Sequence, residues 1–355
     1  MLTSNFDLLY GSDGEAQGPW GEAGTAPDGT ARARSVHGGG PVADLKVVYV
    51  VGPGRSGSTL LADVLAQSPT VVHVGELLWY WKRREMDPPS RCGCGAELRA
   101  CGFWCDVAEQ SPWASDVDPA VIDRTLAELG RSVSWPAMWW QGRSGRPVWP
   151  DYAERLTQLY EAIAEVSGAR VVVDSSKQPG PALVVAGLER IDARFVHLTR
   201  DPRAVVSSWR MPKPDAASPA DSLEAIPPLR AALNWNSRAL AAELLVAGRA
   251  TPSRYRRISF ESFAAAPKRG YDELMEFIDE PKSDALFLDE RTVRLAPSHS
   301  IAGNPDRRAG EVREIRLDEA WRARLPRSER IVTTAISAPM MLRLGYGLSA
   351  LDVRA

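Results

Sequence analysis

The sequence predicts an α/β protein with a mostly parallel sheet flanked by helices. The first observation is a β-branched apolar run, KVVYVV at 46–51, followed by a glycine-rich loop and by a helix, STLLADVLAQ at 58–67, with one apolar face. The second is that further short apolar runs alternate with amphipathic stretches along the chain. Strands that alternate with helices build a parallel sheet covered on both faces, with right-handed crossovers.

Length and composition bound the class of protein. The chain has 355 residues, of which 44% are hydrophobic, enough to bury a proper core. A net charge of -2 gives no global basic field, so we expect neither nucleic acid nor an anionic membrane as a partner. No apolar run is long enough for a membrane span, and the start, MLTSNFDLLYGSDGE, lacks a signal-peptide pattern, so we expect a cytoplasmic protein. The bias to Arg over Lys, with abundant Ala, Gly and Pro, is typical of a GC-rich bacterial gene.

The amino-terminal half of the chain contains three kinds of segment. Residues 1–44 are rich in Gly, Ala, Ser, Asp and Pro, which predicts a flexible leader before a single domain at 45–355. TVVHV at 70–74 is predicted as the second strand. The segment 77–150 contains all four cysteines and most of the twelve tryptophans, and we interpret it as a helical insertion above the sheet and a candidate acceptor-binding cap.

The remaining predicted elements follow this insertion. DYAERLTQLYEAIAEVSG at 151–168 is an amphipathic helix that stops at its glycine. ARVVVD at 169–174 and ARFVHLT at 193–199 are predicted strands, and the Asp-Pro after the second of them opens the helix RAVVSSW. YRRISF at 255–260 is another strand and PKRGYDELMEFID at 267–279 another helix. The sequence shows no internal repeat.

The loop after the first strand, GPGRSGST at 52–59, has the glycine spacing and closing hydroxyl of a phosphate-binding P-loop, G-x-x-x-x-G-K-[ST]. Its glycines allow a tight turn whose N–H groups surround a phosphate at the positive end of the next helix. Ser58 stands at the lysine position, so the clamp for a β/γ-phosphate is missing. Arg55, Ser58 and Thr59 are candidate donors to a different anion, and an ordinary strand-to-helix turn is the alternative.

A second constellation lies in VHLTRDPRAVVSSW. Arg200 ends a predicted strand, and Ser207 and Ser208 lie one to two turns into the next helix. An arginine fork and a hydroxyl can hold another phosphate, although an isolated arginine more often pairs with a surface carboxylate. Glu76 and residues 174–177 also follow predicted strands, and ligands of parallel sheets bind at that edge. We therefore expect one crevice that contains both motifs.

Together the two motifs resemble those of the sulfotransferases that use 3′-phosphoadenosine-5′-phosphosulfate (PAPS). In that family the first loop holds the 5′-phosphosulfate end, and an R-x7-S motif, whose spacing Arg200 and Ser208 share, holds the 3′-phosphate. The resemblance covers 46 to about 345, is closest to the carbohydrate and tyrosyl-protein type, and implies a P-loop-kinase-like sulfotransferase fold. No metal is required, since the loop, Arg200 and Ser208 already neutralise the phosphates. The residues implied for the 5′ end are Arg55, Ser56, Gly57, Ser58 and Thr59.

The resemblance also implies catalytic residues. VGELLWYW places Glu76 like the first glutamate of the G-E-E stretch that removes the acceptor proton in tyrosyl-protein sulfotransferases, and a hydroxyl acceptor needs such a base within hydrogen-bond reach. Lys177 in DSSKQP is similar to a family lysine at the leaving group, where a cation, like Arg55, offsets accumulating charge. Trp79 or Trp81 is expected to line the acceptor pocket. Because the second glutamate is missing, the hydroxyl acceptor stays open among small molecules, metabolites and carbohydrates.

Two alternative functions remain at this stage. The run RVVVD resembles a Walker B strand, so Asp174 and Thr59 would hold Mg²⁺ in an ATP-dependent phosphotransferase. In a non-catalytic nucleotide-binding module, Glu76 would be a solvated residue or a salt-bridge partner. The expected partner of the favoured function is a hydroxyl-bearing acceptor substrate, and the oligomeric state is open.

The remaining candidates are cysteines and histidines. The cysteines fall within RCGCGAELRACGFWCD at 91–106, and reduced packed thiols, a zinc site and disulfides all stay open, with zinc weakened by the tight C-x-C spacing. His73 and His197 lie inside predicted strands and are expected to be core residues. The loop APSHSIAGNPDRRAG is similar to loops that cover the nucleotide in the family. Its candidate contacts are Ser298, His299, Asn304 and Arg308.

Overall fold

The computed structural model describes residues 45–215, 218–283, 286–305 and 311–349. The leader predicted at 1–44 and the candidate contact Arg308 lie outside these residues. Within the described ranges, no helix is both long enough and apolar enough to cross a membrane.

A five-stranded parallel sheet lies at the centre of the described chain, as the sequence predicts. The strands are β1 (Lys46–Val51), β2 (Val71–Gly75), β3 (Val171–Lys177), β4 (Asp192–Thr199) and β5 (Tyr255–Ser259). Their order across the sheet is β2-β3-β1-β4-β5. Because β3 and β4 flank β1, the chain changes direction across the sheet at β1, and the carboxyl end of β1 is where a crevice opens.

The third strand is longer than predicted and irregular. Tyr49 of β1 pairs with Asp174 of β3, but Val51 pairs with Lys177, so the register shifts between the two pairs. An extra residue on one strand is a β-bulge, which re-aims the side chains that follow it. Residues that the sequence assigned to a loop after β3 therefore belong to the strand.

Helices cover both faces of the sheet and fill the region at its carboxyl edge. In chain order they are α1 (Ser58–Leu65), α2 (Tyr80–Arg84), α3 (Gly102–Gln110), α4 (Pro112–Ser115), α5 (Pro119–Gly130), α6 (Trp135–Arg143), α7 (Pro150–Ser167), α8 (Pro179–Val185), α9 (Pro202–Trp209), α10 (Pro228–Ala241), α11 (Ala247–Arg249), α12 (Phe260–Ala265), α13 (Pro267–Phe277), α14 (Trp321–Arg324) and α15 (Arg327–Leu344). A π-helical segment, Ala242–Val246, joins α10 to α11, and β6 (Thr292–Arg294) pairs with β7 (Val312–Glu314) in a separate antiparallel ribbon.

Alternate side chains of the strands pack into two different cores. Val47 and Tyr49 face a core built with α7, α8 and the helices of the insertion. Val48 and Val50 face a second core built with α1, α12 and α13. Strands that are buried on both faces read as continuous apolar runs, which is why β1 to β4 were visible in the sequence, whereas the edge strand β5 is half-buried or exposed along its length. The segment 77–150 is helical, as predicted, and its apolar residues join the first core.

Candidate active site

The loop between β1 and α1 brings its backbone close to its neighbours. Gly52 has φ 142°, and a Cβ there would lie 2.4 Å from the carbonyl oxygen of Leu198. Gly57 precedes α1 in the left-handed conformation, with φ 91°, and a Cβ there would lie 2.3 Å from the ring of Phe260. No side chain caps the amino terminus of α1. The N–H groups of its first turn are therefore able to bind an anion.

The two phosphate motifs contact each other directly. Arg200 Nη1 donates a hydrogen bond of 3.0 Å to the carbonyl oxygen of Arg55. The Arg55 guanidinium lies 4.7 Å from the ring centroid of Trp209, and the Arg200 guanidinium lies 4.9 Å from that of Phe260. Arg200 also approaches a carboxylate, Asp318, at 3.5 Å, but the Asp318 side chain is 56% exposed. The contacts of Arg200 are thus mainly with the loop and an aromatic ring.

Glu76 and Lys177 form an ion pair at the ends of β2 and β3. Lys177 Nζ lies 2.6 Å from Glu76 Oε1, and the indole N–H of Trp79 donates to Glu76 Oε2 at 3.2 Å. Lys177 Nζ also donates to the carbonyl oxygen of Ser175, and Lys177 has φ 68°, in the left-handed region. A lysine held in a left-handed conformation is strained, and such strain is concentrated at functional sites. Both oxygens of the Glu76 carboxylate are therefore oriented.

One cavity of about 820 Å³ connects these groups at the carboxyl edge of the sheet. Ser56 does not line this cavity; it is 1% exposed, and within the described chain its hydroxyl has no hydrogen-bond partner. The candidates from the two motifs and the strand ends that line the cavity are Arg55, Gly57, Ser58, Thr59, Glu76, Lys177, Arg200, Ser207 and Ser208.

The carboxy-terminal loop divides its candidates between two places. Asn304 lines the cavity, and its backbone N–H donates to Thr59 Oγ1 at 3.5 Å. Ser298 instead donates to Asp63 at 3.3 Å, and His299 lies beside the cysteines. Neither Ser298 nor His299 lines the cavity. They therefore lie outside the cavity that Asn304 lines.

Both oxygens of the Asp174 carboxylate accept hydrogen bonds from other groups of the protein. Its Oδ1 accepts a hydrogen bond from the backbone N–H of Ser176, and its Oδ2 accepts one of 2.7 Å from the hydroxyl of Tyr160 in α7. Burial raises the pKa of this carboxyl, although these hydrogen bonds oppose the shift. Asp174 does not line the cavity that contains Thr59. This arrangement does not fit the Walker B alternative, in which both residues would hold one Mg²⁺.

The strand histidines are buried in the core and bonded to protein groups, although His197 Nε2 has no hydrogen-bond partner among the described residues. His73 Nδ1 lies 2.9 Å from Asp63 Oδ1, and its Nε2 lies 3.2 Å from Ser175 Oγ. His197 Nδ1 lies 3.1 Å from Glu243, and burial lowers the pKa of this imidazole. Both positions agree with the structural role expected from the sequence.

Sequence reasoning missed the arginines of the cavity lining other than Arg55 and Arg200, among them Arg238 of α10. Burial lowers its pKa, and the negative charge of Glu76 opposes that shift. An arginine remains charged nonetheless, so Arg238 adds a cation to the site. The signal was present in the periodicity of PLRAALNWNSRALA, where Ala231, Trp235 and Arg238 share one helical face and the first two are buried.

Trp79 and Trp81 have different environments. Trp79 lines the cavity beside Glu76, as the sequence suggested for one of the pair. Trp81 is 4% exposed and packs against Tyr152 of α7, with a centroid distance of 5.7 Å. The first is therefore part of the site and the second part of the core.

A glycine-rich anion loop at the switch point of a parallel sheet, with a carboxylate and a lysine in the same cavity, is the arrangement of a group-transfer enzyme of the P-loop type. A sequence model described as Sulfotransferase family matches residues 105–284, which is 180 of the 355 residues. The chain belongs to the sulfotransferase family.

Solved structures similar to this chain are also sulfotransferases. A sulfotransferase domain from the Curacin biosynthetic pathway is 18% identical, with 85% of this chain and 98% of that chain covered and a TM-score of 0.47. A sulfotransferase domain from the Synechococcus PCC 7002 olefin synthase is 18% identical, with 83% and 94% covered and a TM-score of 0.44. A sulfotransferase from Mycobacterium avium is 13% identical, with 68% and 65% covered and a TM-score of 0.39. No curated protein matches the chain.

Proposed function

We propose that this protein transfers the sulfuryl group of PAPS to a hydroxyl group of an acceptor substrate. The observation that carries the proposal is the direct hydrogen bond from Arg200 to the loop carbonyl of Arg55, in the cavity that also contains Glu76 and Lys177. One ligand with phosphate groups at both ends fits a site whose two anion motifs are physically joined. PAPS has a 5′-phosphosulfate and a 3′-phosphate, and when bound it supplies the sulfuryl group and the leaving group.

The residues present fit the 5′ end of such a donor. Ser56 lies between two lining residues, Arg55 and Gly57, but its buried hydroxyl does not line the cavity, so its assignment to the 5′ end stays a prediction from the sequence. The uncapped first turn of α1, with Ser58 and Thr59, presents backbone and hydroxyl donors to the same cavity. Arg55 adds a positive charge. A lysine clamp for a γ-phosphate is not needed because this ligand has none.

The 3′-phosphate is assigned to Arg200 and Ser208. Ser208 lies on α9, two turns after the strand end that carries Arg200, and both side chains line the cavity. Hydrogen bonds from a guanidinium to a phosphate are charge-assisted and are stronger than neutral ones. Because β4 and α9 are both well packed elements, the two donors are held in place before the ligand binds.

Glu76 acts as the general base in this mechanism. Its carboxylate takes the proton of the acceptor hydroxyl as the new S–O bond forms and the bond to the leaving phosphate breaks. Trp79 holds one carboxylate oxygen and Lys177 the other. The carbonyl of Lys177 accepts a hydrogen bond from Gly52 of the loop at 3.1 Å while its ammonium pairs with Glu76, so the cation that orients the base is able to stabilise charge on the departing phosphate. Arg55 and Arg238 add to that stabilisation.

The acceptor occupies the side of the cavity beyond Glu76. Apolar residues form part of the cavity lining, and one of them, Trp79, donates its indole N–H to Glu76. These walls favour an acceptor hydroxyl on an apolar or mixed small molecule. The apolar residues of the cavity lining include Trp79, Met86, Met211, Leu223 and Ile226. A cytoplasmic location remains a prediction from the sequence.

Calorimetry tests the donor assignment. Purified protein is titrated with 3′-phosphoadenosine-5′-phosphate (PAP), with adenosine 5′-phosphate, and with ATP plus Mg²⁺. We expect tight binding of PAP that depends on the 3′-phosphate, followed by PAPS-dependent turnover in a screen of hydroxyl acceptors. A preference for ATP with Mg²⁺ would refute the proposal and favour the phosphotransferase alternative.

A further inference from the structure

Three of the cysteines meet a histidine from the distant carboxy-terminal loop. The Sγ atoms of Cys92, Cys94 and Cys101 and a ring nitrogen of His299 all lie within 4.8 Å of one another. Cys94 Sγ lies 3.7 Å from Cys101 Sγ, and His299 Nδ1 lies 3.7 Å from Cys92 Sγ and 3.4 Å from Cys101 Sγ. Cys92 and Cys101 are buried, His299 is half-buried and Cys94 is exposed.

Three of the six pairwise separations match the edges of a tetrahedral zinc site, and all six are within 4.8 Å. Zinc binds cysteine sulfur at about 2.3 Å and histidine nitrogen at about 2.0 to 2.1 Å, so a tetrahedron has edges of about 3.8 Å between sulfurs and about 3.6 Å between sulfur and nitrogen. The three distances above lie within about 0.2 Å of these edges. A disulfide between Cys94 and Cys101 requires about 2.05 Å, far shorter than their separation.

The backbone around the first two cysteines forms a tight hairpin. The N–H of Cys92 donates to Ala96 and the N–H of Gly95 donates back to Cys92, both at 2.9 Å, with Gly95 at φ 93°. Gly93 donates to the carbonyl of Ser300 at 2.9 Å, and a Cβ at Gly93 would lie 2.5 Å from the Ser298 carbonyl. The hairpin therefore packs directly on the loop that carries the histidine.

The histidine is held from both sides. The ring of His299 stacks on Phe103, with centroids 4.6 Å apart and planes 10° apart. Its carbonyl accepts a 2.9 Å hydrogen bond from the indole N–H of Trp104. Both aromatic residues lie on α3, which begins immediately after Cys101. Groups that fix the orientation of a ligand histidine are an expected part of a metal site.

We propose that Cys92, Cys94, Cys101 and His299 Nδ1 bind one structural zinc ion. The set of three thiolates and one imidazole suits zinc by its softness and by its tetrahedral geometry. Four protein ligands leave no open position, which is the pattern of a structural site. Binding releases the thiol protons to solvent, so the affinity falls as the pH is lowered. The cavity described above needs no metal under this proposal.

The zinc ion links the insertion to the wall of the active site. Ile301, two residues after His299, donates to Val74 of β2 and accepts from the N–H of Glu76 at 2.8 Å. Farther along the same loop, Asn304 contacts Thr59. The loop at 298–304 thus extends from the cysteine cluster to the base and to the anion loop. The ion fixes this loop in a region that has no long secondary-structure element of its own.

The first test is the metal content of the full chain, purified without chelators. Elemental analysis by mass spectrometry is expected to give one zinc per chain in the wild type and in Cys105→Ser. Cys105 is the matched control, since it belongs to the same segment but its Sγ contacts the carbonyl of Arg99 outside the cluster. Cys94→Ser and Cys101→Ser are expected to lose the zinc. Cys94 is exposed, so its replacement does not disturb the core.

The second test uses zinc removal from the wild type and needs no variant to fold. A chelator is expected to lower the Tm of the wild type and of Cys105→Ser, to raise hydrogen exchange at 298–304, and to leave Cys94→Ser unchanged. Cobalt added to the metal-free wild type is expected to give the strong visible absorption of a tetrahedral thiolate site. A wild type without zinc that takes up neither zinc nor cobalt, or a Cys94–Cys101 disulfide found by peptide mass spectrometry, would overturn the proposal.

Discussion

Replacement of Arg200 by alanine tests the binding of the 3′-phosphate separately from the binding of the 5′ end of the proposed donor. The guanidinium faces the cavity and is held against the Phe260 ring at 4.9 Å, so it is oriented before a phosphate arrives. A hydrogen bond to a charged group contributes about 1.5 to 3 kcal/mol. At 1.4 kcal/mol per tenfold, the loss is about 10- to 140-fold in affinity for the 3′-phosphate.

The same substitution also removes the hydrogen bond to the carbonyl of Arg55, which supports the loop for the 5′ end. That part of the loss affects any ligand that has a 5′-phosphate. The measured quantity is therefore the ratio of Kd values for adenosine 5′-phosphate and PAP, obtained by calorimetry for wild type and Arg200→Ala. Dividing one ratio by the other cancels the shared loss, as in a double-mutant cycle. We expect the ratio to fall about 10- to 140-fold.

Arg210→Ala is the matched control for this experiment. Arg210 follows α9, is ion-paired with Glu329 at 3.0 Å and does not line the cavity. Its replacement removes the same charge without removing a ligand contact, and the ratio is expected to stay at the wild-type value. An unchanged ratio in Arg200→Ala would refute the assignment of the 3′-phosphate. An equal fall of the ratio in Arg210→Ala would show that the effect comes from the change in net charge alone.

Three further predictions concern the base, the loop and a buried network. Glu76→Gln keeps the shape of the side chain but cannot take a proton, so kcat at saturating PAPS is expected to fall about 10²- to 10⁴-fold while PAP affinity changes little, and an unchanged kcat would remove the base assignment. Gly57→Ala forces a Cβ to within 2.3 Å of an aromatic ring at φ 91°, whereas Gly345→Ala, at φ 84°, meets no atom within 4 Å. The first is expected to lower Tm and PAP affinity more than the second, and equal effects would show that the backbone conformation alone matters. The hydrogen bond with His197 lowers the pKa of Glu243 from 4.5 to about 2, so its stabilising contribution is present above about pH 4.5 and is lost as the pH falls toward 2. Glu243→Gln should lower Tm at pH 7 with a difference from wild type that shrinks in that window, and a constant difference down to pH 2 would contradict this cause.

The sequence was sufficient to predict the sheet and a crevice at its carboxyl edge. Strands buried on both faces leave continuous apolar runs, and a parallel topology brings their carboxyl ends to one edge. The loop at 52–59 and the spacing of Arg200 and Ser208 are local patterns, so they were readable without a structure. The prediction that Glu76, Lys177 and both motifs share one crevice followed from the same topology, and the cavity contains all of them.

Other features depend on contacts that no local pattern encodes. The bulge in β3 re-aims the chain so that Lys177 meets Glu76, while Asp174, only three residues earlier, is used by Tyr160 of a packed helix. The sequence places both residues at or just after the end of a predicted strand, but it does not show the direction in which each side chain points.

The cysteine cluster likewise depends on a contact between two segments that are distant in the sequence. The tight C-x-C spacing of Cys92 and Cys94 weakened the zinc interpretation without excluding it, and the sequence did not show that His299 lies beside these cysteines. His299 is 198 positions from Cys101 along the chain, yet its nitrogen lies 3.4 Å from that sulfur. Periodicity and spacing therefore determined the sheet, the anion loop and the identities of the chemical groups. Only the packing of the insertion and the carboxy-terminal loop against the sheet decided which of those groups meet, because that proximity depends on the whole fold and on no single segment.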